Sequence, residues 1–155
     1  ADTIVSKGGE FFHGFTYSGH PASCAAALAN IDILEREKLV DRVKTVAGPA
    51  LQKAWAELGD HPLVGEARMV GLFGALELVP DKSDLSKRFA PVGDVGTLCR
   101  EFSFRNGLVM RATRDGMIIA PPLVISEEEI AYLAEKARKS LDQTYEALKA
   151  QGKVA

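Results

Sequence analysis

"LVMRATRDGMIIAPP", residues 108–122, decides the fold of this chain. Two short runs rich in Val, Ile and Met flank Arg114-Asp115-Gly116, and an Asp-Gly pair between such runs is a strong hairpin signal. Just upstream, "VGDVGTLCREFSFRNG" (residues 92–107) reads as a helix that stops at Asn106-Gly107. Just downstream, Ser126 followed by Glu129 forms a capping box, and Ile130, Leu133, Ala137, Leu141, Tyr145 and Leu148 keep one helical face behind it. A small hairpin packed on helices is the expected centre of the molecule.

Working outward, "ARMVGLFGALELV" (residues 67–79) is apolar on both alternating faces and reads as one strand covered on two sides. Gly71 and Gly74 would mark close backbone approach or a bulge. Still earlier, "HPASCAAALANIDILERE" (residues 20–37) reads as a helix with Pro21 in the first turn, where its missing N–H costs nothing. Its Cys24, Ala25, Leu28, Ile31 and Leu34 give a narrow apolar face with small residues for close packing. A second helical pattern runs from Leu39 to Leu58, with Gly59 placed as its cap, so the two form a long bent arm. The expected class is α+β, with antiparallel strands and helices on one side.

The 155 residues fit one domain, with 46% hydrophobic and 26% charged residues in the ordinary globular range. Nineteen Lys and Arg against 21 Asp and Glu leave a net charge of −2, which gives no reason to expect nucleic acid or an anionic membrane. Cys24 and Cys99 stand far apart without a histidine cluster, so no metal site is expected and a reducing cytoplasm is the simplest setting. The run "GMIIAPPLVI" is too short to span a bilayer. The opening "ADTIVSKGGEFF" lacks a Met and reads as cut from something longer.

Two places carry candidate chemistry. In "FFHGFTYSGHP" (residues 11–21), backbone N–H groups beside glycines and the Thr16 hydroxyl precede a helix start, an arrangement that suits a phosphate dianion. Alternatively, Thr16 and Ser18 merely cap the helix and His20 packs at the surface. Phe15 and Tyr17 either stack on an aromatic ligand or anchor a core. Arg111 interrupts an apolar strand, where its planar fork reaches a substrate carboxylate, an acidic partner on the chain, or water. Arg114 is expected to be solvated, His61 to be structural, and Glu77 to be either an internal satisfied group or an edge residue.

Three blocks in order, "HGFTYSGHPASCAAALANIDILE", "VGEARMVGLFGALELV" and "GLVMRATRDGMIIAPPLVIS", resemble the class III pyridoxal-phosphate aminotransferases, closest to the ω-amino acid:pyruvate branch. The likeness covers essentially the whole chain. It implies the C-terminal part of a fold-type I enzyme, with residues 1–20 ending the large cofactor domain. Residues 21–60 would form a long helical connection and residues 61–155 the small α+β domain. By the same resemblance, Thr16 donates its hydroxyl to the phosphate of pyridoxal 5'-phosphate held mainly by the opposite subunit of a homodimer, assisted by the Phe15 backbone.

Arg111, ten residues before the first proline of "APP", matches the family's mobile clamp for the acceptor carboxylate. The resemblance places the Schiff-base lysine before Ala1, and Lys7 does not occupy its position. Arg114 departs from the family, standing where relatives commonly have glycine. The implied activity of the full-length enzyme moves an amino group from an amine or ω-amino acid to pyruvate or another oxo acid. Two alternatives are a folded fragment that serves only as a dimerisation module and an unrelated α+β binding domain.

Overall fold

The computed structural model describes residues 2–8 and 14–154, so residues 11–13 of the opening stretch lie outside it. The chain divides into two compact units, Ala1–Lys38 and Leu39–Ala155. In the first, α1 (Asp2–Lys7) precedes a tight turn at Phe15–Ser18, where the Ser18 N–H bonds the Phe15 carbonyl at 2.9 Å. Helix α2 (Pro21–Arg36) follows, with Pro21 in its first turn as the sequence indicates. Lys38 stops the helical run by taking a positive φ of 50°. None of the α2 side chains is buried; on the expected packing face Leu28 and Ile31 are 68% and 49% exposed and Leu34 is half-buried.

The second unit opens with α3 (Leu39–Arg42), one π-helical turn (Val43–Ala47) and α4 (Gly48–Glu57). Pro49 lies inside this run and has no N–H to donate; the Gly48 N–H reaches back to the Val43 carbonyl, widening the turn before it. A 3₁₀ turn at Leu58–Asp60 ends the helix. Gly59 belongs to that turn and does not act as the left-handed cap the sequence suggested.

Residues 67–79 are not one strand. They divide between β1 (Val64–Val70) and β2 (Phe73–Leu78), which pair antiparallel with Val70 opposite Phe73. The reversal is a two-residue turn at Gly71-Leu72, and Gly71 supplies its positive φ of 58°. Helix α5 (Asp94–Arg105) ends at Asn106-Gly107, as read, with Gly107 at φ 81° and the Leu108 N–H returning to the Ser103 carbonyl at 2.9 Å. Strands β3 (Arg111–Thr113) and β4 (Gly116–Ile119) form the expected hairpin, and α6 (Glu127–Ala150) closes the unit.

The four strands lie in the order β1-β2-β4-β3, all antiparallel, which leaves β3 at an edge. Alternation then sorts the two faces. Leu76, Leu78, Met117 and Ile119 are buried, together with Leu51 and Trp55 of α4 and Leu141 and Leu148 of α6. Across the opposite face, register aligns Arg111, Ile118, Ala75 and Arg68 in one row, and neither arginine is buried. Among the described residues of this unit the helices cover one side of the sheet, so the two-sided cover expected for residues 67–79 gives way to a single buried face.

Named side chains pin the helices to this sheet. Trp55 Nε1 donates to the Ala75 carbonyl at 3.3 Å, tying α4 to β2. Arg42 donates to the carbonyls of Leu123 and Ile125 at 2.9 and 2.6 Å, which fixes the segment between β4 and α6. At the start of α6 both bonds of the capping box are present: the Ser126 N–H to Glu129 Oε2 at 2.8 Å and the Glu129 N–H to Ser126 Oγ at 3.1 Å. No helix among the described residues is long and apolar enough to cross a membrane.

Candidate active site

Thr16 sits at the second position of the Phe15–Ser18 turn, exposed, and its hydroxyl has no hydrogen-bond partner among the described residues. The Phe15 N–H points to Ser18 Oγ at 3.3 Å, a long bond that an anionic oxygen would readily replace. Gly19 at φ 74° redirects the chain into α2, whose N-terminus receives no side-chain cap from His20. Ser18 thus bonds its own turn, and the expectation that Thr16 or Ser18 caps α2 is not met. A free hydroxyl beside an uncapped 16-residue helix is a suitable anion-facing arrangement.

Arg111 opens the edge strand β3 in the other unit. It is exposed and its side chain makes no hydrogen bond or ion pair with another described residue, so the alternative of an internal salt bridge does not hold. Glu77, on the same open face, lies 3.7 Å from Arg68 Nη2, and Arg68 also meets Glu66 at 2.9 Å. The acidic groups of this face are thus engaged by Arg68, leaving the Arg111 guanidinium as an uncommitted fork on the sheet. Phe15 and Thr16 belong to one compact unit and Arg111 to the other.

The turn that follows Arg111 is built differently from a simple Asp-Gly hairpin. Thr113 pairs with Gly116, so Arg114 and Asp115 are the two turn residues, and Arg114 takes φ 53°. Glycine would adopt that conformation without a Cβ penalty, so Arg114 holds the turn against a steric preference. Asp115, which the sequence presented only as a turn former, is 4% exposed. Its carboxylate accepts from the N–H groups of Gly93 and Gly96, both at 3.0 Å, and so caps α5 from across the chain. No local signal marks this role, because the donors lie 22 and 19 residues upstream.

His61 is buried and structural, as expected. Nδ1 accepts from the Leu63 N–H at 3.1 Å, Nε2 faces Asp142 Oδ1 at 3.4 Å, and the Tyr145 ring meets it edge-on. Burial holds its pKa below the ordinary value, outweighing the opposing pull of Asp142. Cys99 is likewise a core group, its thiol pushed up to about 11 by burial. Among the described residues no group of His, Cys, Asp and Glu could hold a metal ion.

The model of the class-III aminotransferase family matches residues 2–141. The chain belongs to the class-III aminotransferases. It is 58% identical over 145 residues to the putrescine–pyruvate aminotransferase of Pseudomonas aeruginosa, covering 94% of this chain and 31% of that relative. It is 36% identical to the mitochondrial gamma aminobutyrate transaminase 1 of Solanum lycopersicum, covering 94% of this chain and 28% of the relative. Among solved structures, a thermostable (S)-enantioselective omega-transaminase from Thermomicrobium roseum superposes with a TM-score of 0.82 at 38% identity, over 92% of this chain and 32% of the other. A sixfold mutant of the Pseudomonas jessenii omega transaminase gives 0.80 at 36% identity, over 92% and 31%. This class-III chain thus spans about a third of the length of the relatives it matches, and its fold is that of the transaminase part it covers.

Proposed function

We propose that the complete protein to which this chain belongs transfers an amino group from an amine or ω-amino acid to pyruvate or another oxo acid, using pyridoxal 5'-phosphate. The observation that carries this reading is the 58% identity to a putrescine–pyruvate aminotransferase along 94% of the chain. In this reading residues 1–20 close the large cofactor domain, residues 21–60 form the helical connection and residues 61–155 form the C-terminal small domain. The reacting lysine lies in the part of the protein outside this chain.

The residues present suit the cofactor. When bound, pyridoxal 5'-phosphate supplies the electron sink that lets the amino group leave one carbon skeleton and enter another. This chain's own part is to hold and to select. The uncommitted Thr16 hydroxyl donates to a phosphate oxygen, and the Phe15 N–H exchanges its 3.3 Å bond to Ser18 Oγ for a shorter, charge-assisted one. The phosphate belongs to a cofactor seated mainly in a second copy of the chain, so the working form is a homodimer. Arg111 binds the acceptor's carboxylate bidentately and turns into solvent when an amine without a carboxylate occupies the site. The free thiols Cys24 and Cys99 suit a cytoplasmic setting.

The test is to supply the purified complete protein with pyridoxal 5'-phosphate, pyruvate and a panel of donors including putrescine and ω-amino acids, and to measure alanine. Alanine from at least one of these donors is expected. Its absence with every donor, in a protein that has bound the cofactor, overturns the proposal.

A further inference from the structure

We propose that Asp115 is a positioning residue for Arg111: by clamping the β3–β4 turn to the N-terminus of α5, it holds still the backbone from which the guanidinium reaches the acceptor carboxylate. This inference rests on the reading of Arg111 given above. Strand β3 has only three residues, lies at the sheet edge and is paired on one side alone, to β4. Such a strand is weakly held by its own ladder. Its lateral position must come from what its ends are tied to.

Both ends are tied. Before β3, Met110 is fully buried, and the Leu108 carbonyl accepts from Ser103 Oγ on α5. After β3, the Asp115 carboxylate takes one N–H at each oxygen, Gly93 at Oδ2 and Gly96 at Oδ1, while its main-chain carbonyl accepts from the Leu78 N–H of β2 at 3.0 Å. One residue therefore joins three elements: the turn, the first turn of α5 and the end of β2.

The approach is close enough to require glycine on the helix. A Cβ on Gly96 would collide with the Arg114 carbonyl oxygen, and Gly93 takes a φ of 96° that residues with a Cβ rarely adopt. Gly96 is buried and the obstructing atoms belong to the main chain of Arg114 and Asp115, so the contact cannot be relieved by swinging a side chain aside. The lock thus combines a buried, doubly bonded carboxylate with a steric fit that only a bare α-carbon allows. Its effect is to give Arg111 a fixed root, so that switching between carboxylated and uncarboxylated substrates is a side-chain rotation over a stationary strand.

The experiment uses the complete, cofactor-loaded enzyme and compares Asp115→Asn, Asp115→Ala and Arg111→Ala with the parent. KM and kcat are measured for an oxo-acid acceptor and for an amine donor without a carboxylate, alongside the thermal midpoint of each variant. Asp115→Ala is expected to raise the oxo-acid KM roughly tenfold, below the roughly hundredfold that a full ångström of misplacement can cost. The amine KM should stay nearly unchanged, because a donor without a carboxylate gives Arg111 nothing to bind. Asp115→Asn keeps one acceptor oxygen and is expected to fall between the two; it is also the informative variant if Asp115→Ala does not fold.

A merely structural role predicts a lower thermal midpoint with equal changes for both substrates, and that result overturns the inference. If Arg111→Ala discriminates between the substrates and the Asp115 variants do not, Asp115 alone is refuted. If Arg111→Ala itself fails to discriminate, the carboxylate reading of Arg111 falls and the inference falls with it.

Discussion

His61 Nε2 lies 3.4 Å from Asp142 Oδ1 while its Nδ1 accepts the Leu63 N–H, so the buried ring is held as the neutral Nε2-protonated tautomer. The pair joins the loop before β1 to the middle of α6. Burial wins over the carboxylate, and the folded-state pKa is lowered from 6.5.

A pH dependence of stability follows from that direction. The unfolded chain takes up the His61 proton more readily than the folded one, so the contribution is complete above 6.5 and is lost as pH falls through the lowered folded value. Urea midpoints measured from about pH 8 down to about pH 5 should fall for the parent and fall less for His61→Gln. Parallel pH curves for the two proteins would refute the assignment.

Thr16→Ala in the complete enzyme should weaken retention of pyridoxal 5'-phosphate by about 1.5–3 kcal/mol, the worth of a hydrogen bond to a charged group. Thr16→Ser keeps the hydroxyl and should recover most of it. Equilibrium dialysis followed by the cofactor's visible absorbance reads both, and equal affinity in Thr16→Ala and the parent would remove Thr16 from the cofactor site.

Arg111→Ala should raise the Michaelis constant for oxo acids far more than for amines lacking a carboxylate. Arg111→Lys keeps the charge but not the planar fork, and should restore only part of the difference. Steady-state kinetics on the two substrate classes decides it. Equal changes in both would mark Arg111 as a surface residue of the edge strand.

Ser126→Ala removes one half of the capping box at the start of α6 and should cost about 1 kcal/mol of stability. Glu129→Gln leaves an acceptor in place and should cost less. Chemical denaturation reads both, and an unchanged midpoint in Ser126→Ala would show that the Arg42 clamp on Leu123 and Ile125 already fixes the helix start.

What was legible in the sequence was what a few adjacent residues decide. Pro21, the Ser126–Glu129 box, Asn106-Gly107 and the hairpin after Arg111 all act within one turn of chain. The β1–β2 hairpin was hidden because Gly71 is its only unusual turn residue and Leu72 beside it is buried, so an apolar run continues through the reversal. The π-helical turn was hidden because a proline at position 49 reads as an ordinary helix start, while its effect falls on the carbonyls before it. Thr16 and Arg111 stand out in the sequence as a hydroxyl in a glycine-flanked loop and a cation inside an apolar strand. Asp115 does not, since its significance depends on two amides that only the folded chain brings near.

Every buried apolar side chain among the described residues lies at Leu39 or later, beyond the positive-φ break at Lys38. A gene trimmed to start at that leucine keeps every apolar side chain that is buried among the described residues. Such a product is the natural specimen for deuterium-exchange spectroscopy, in which slow Gly93 and Gly96 amides would report the grip of Asp115 without any catalytic assay.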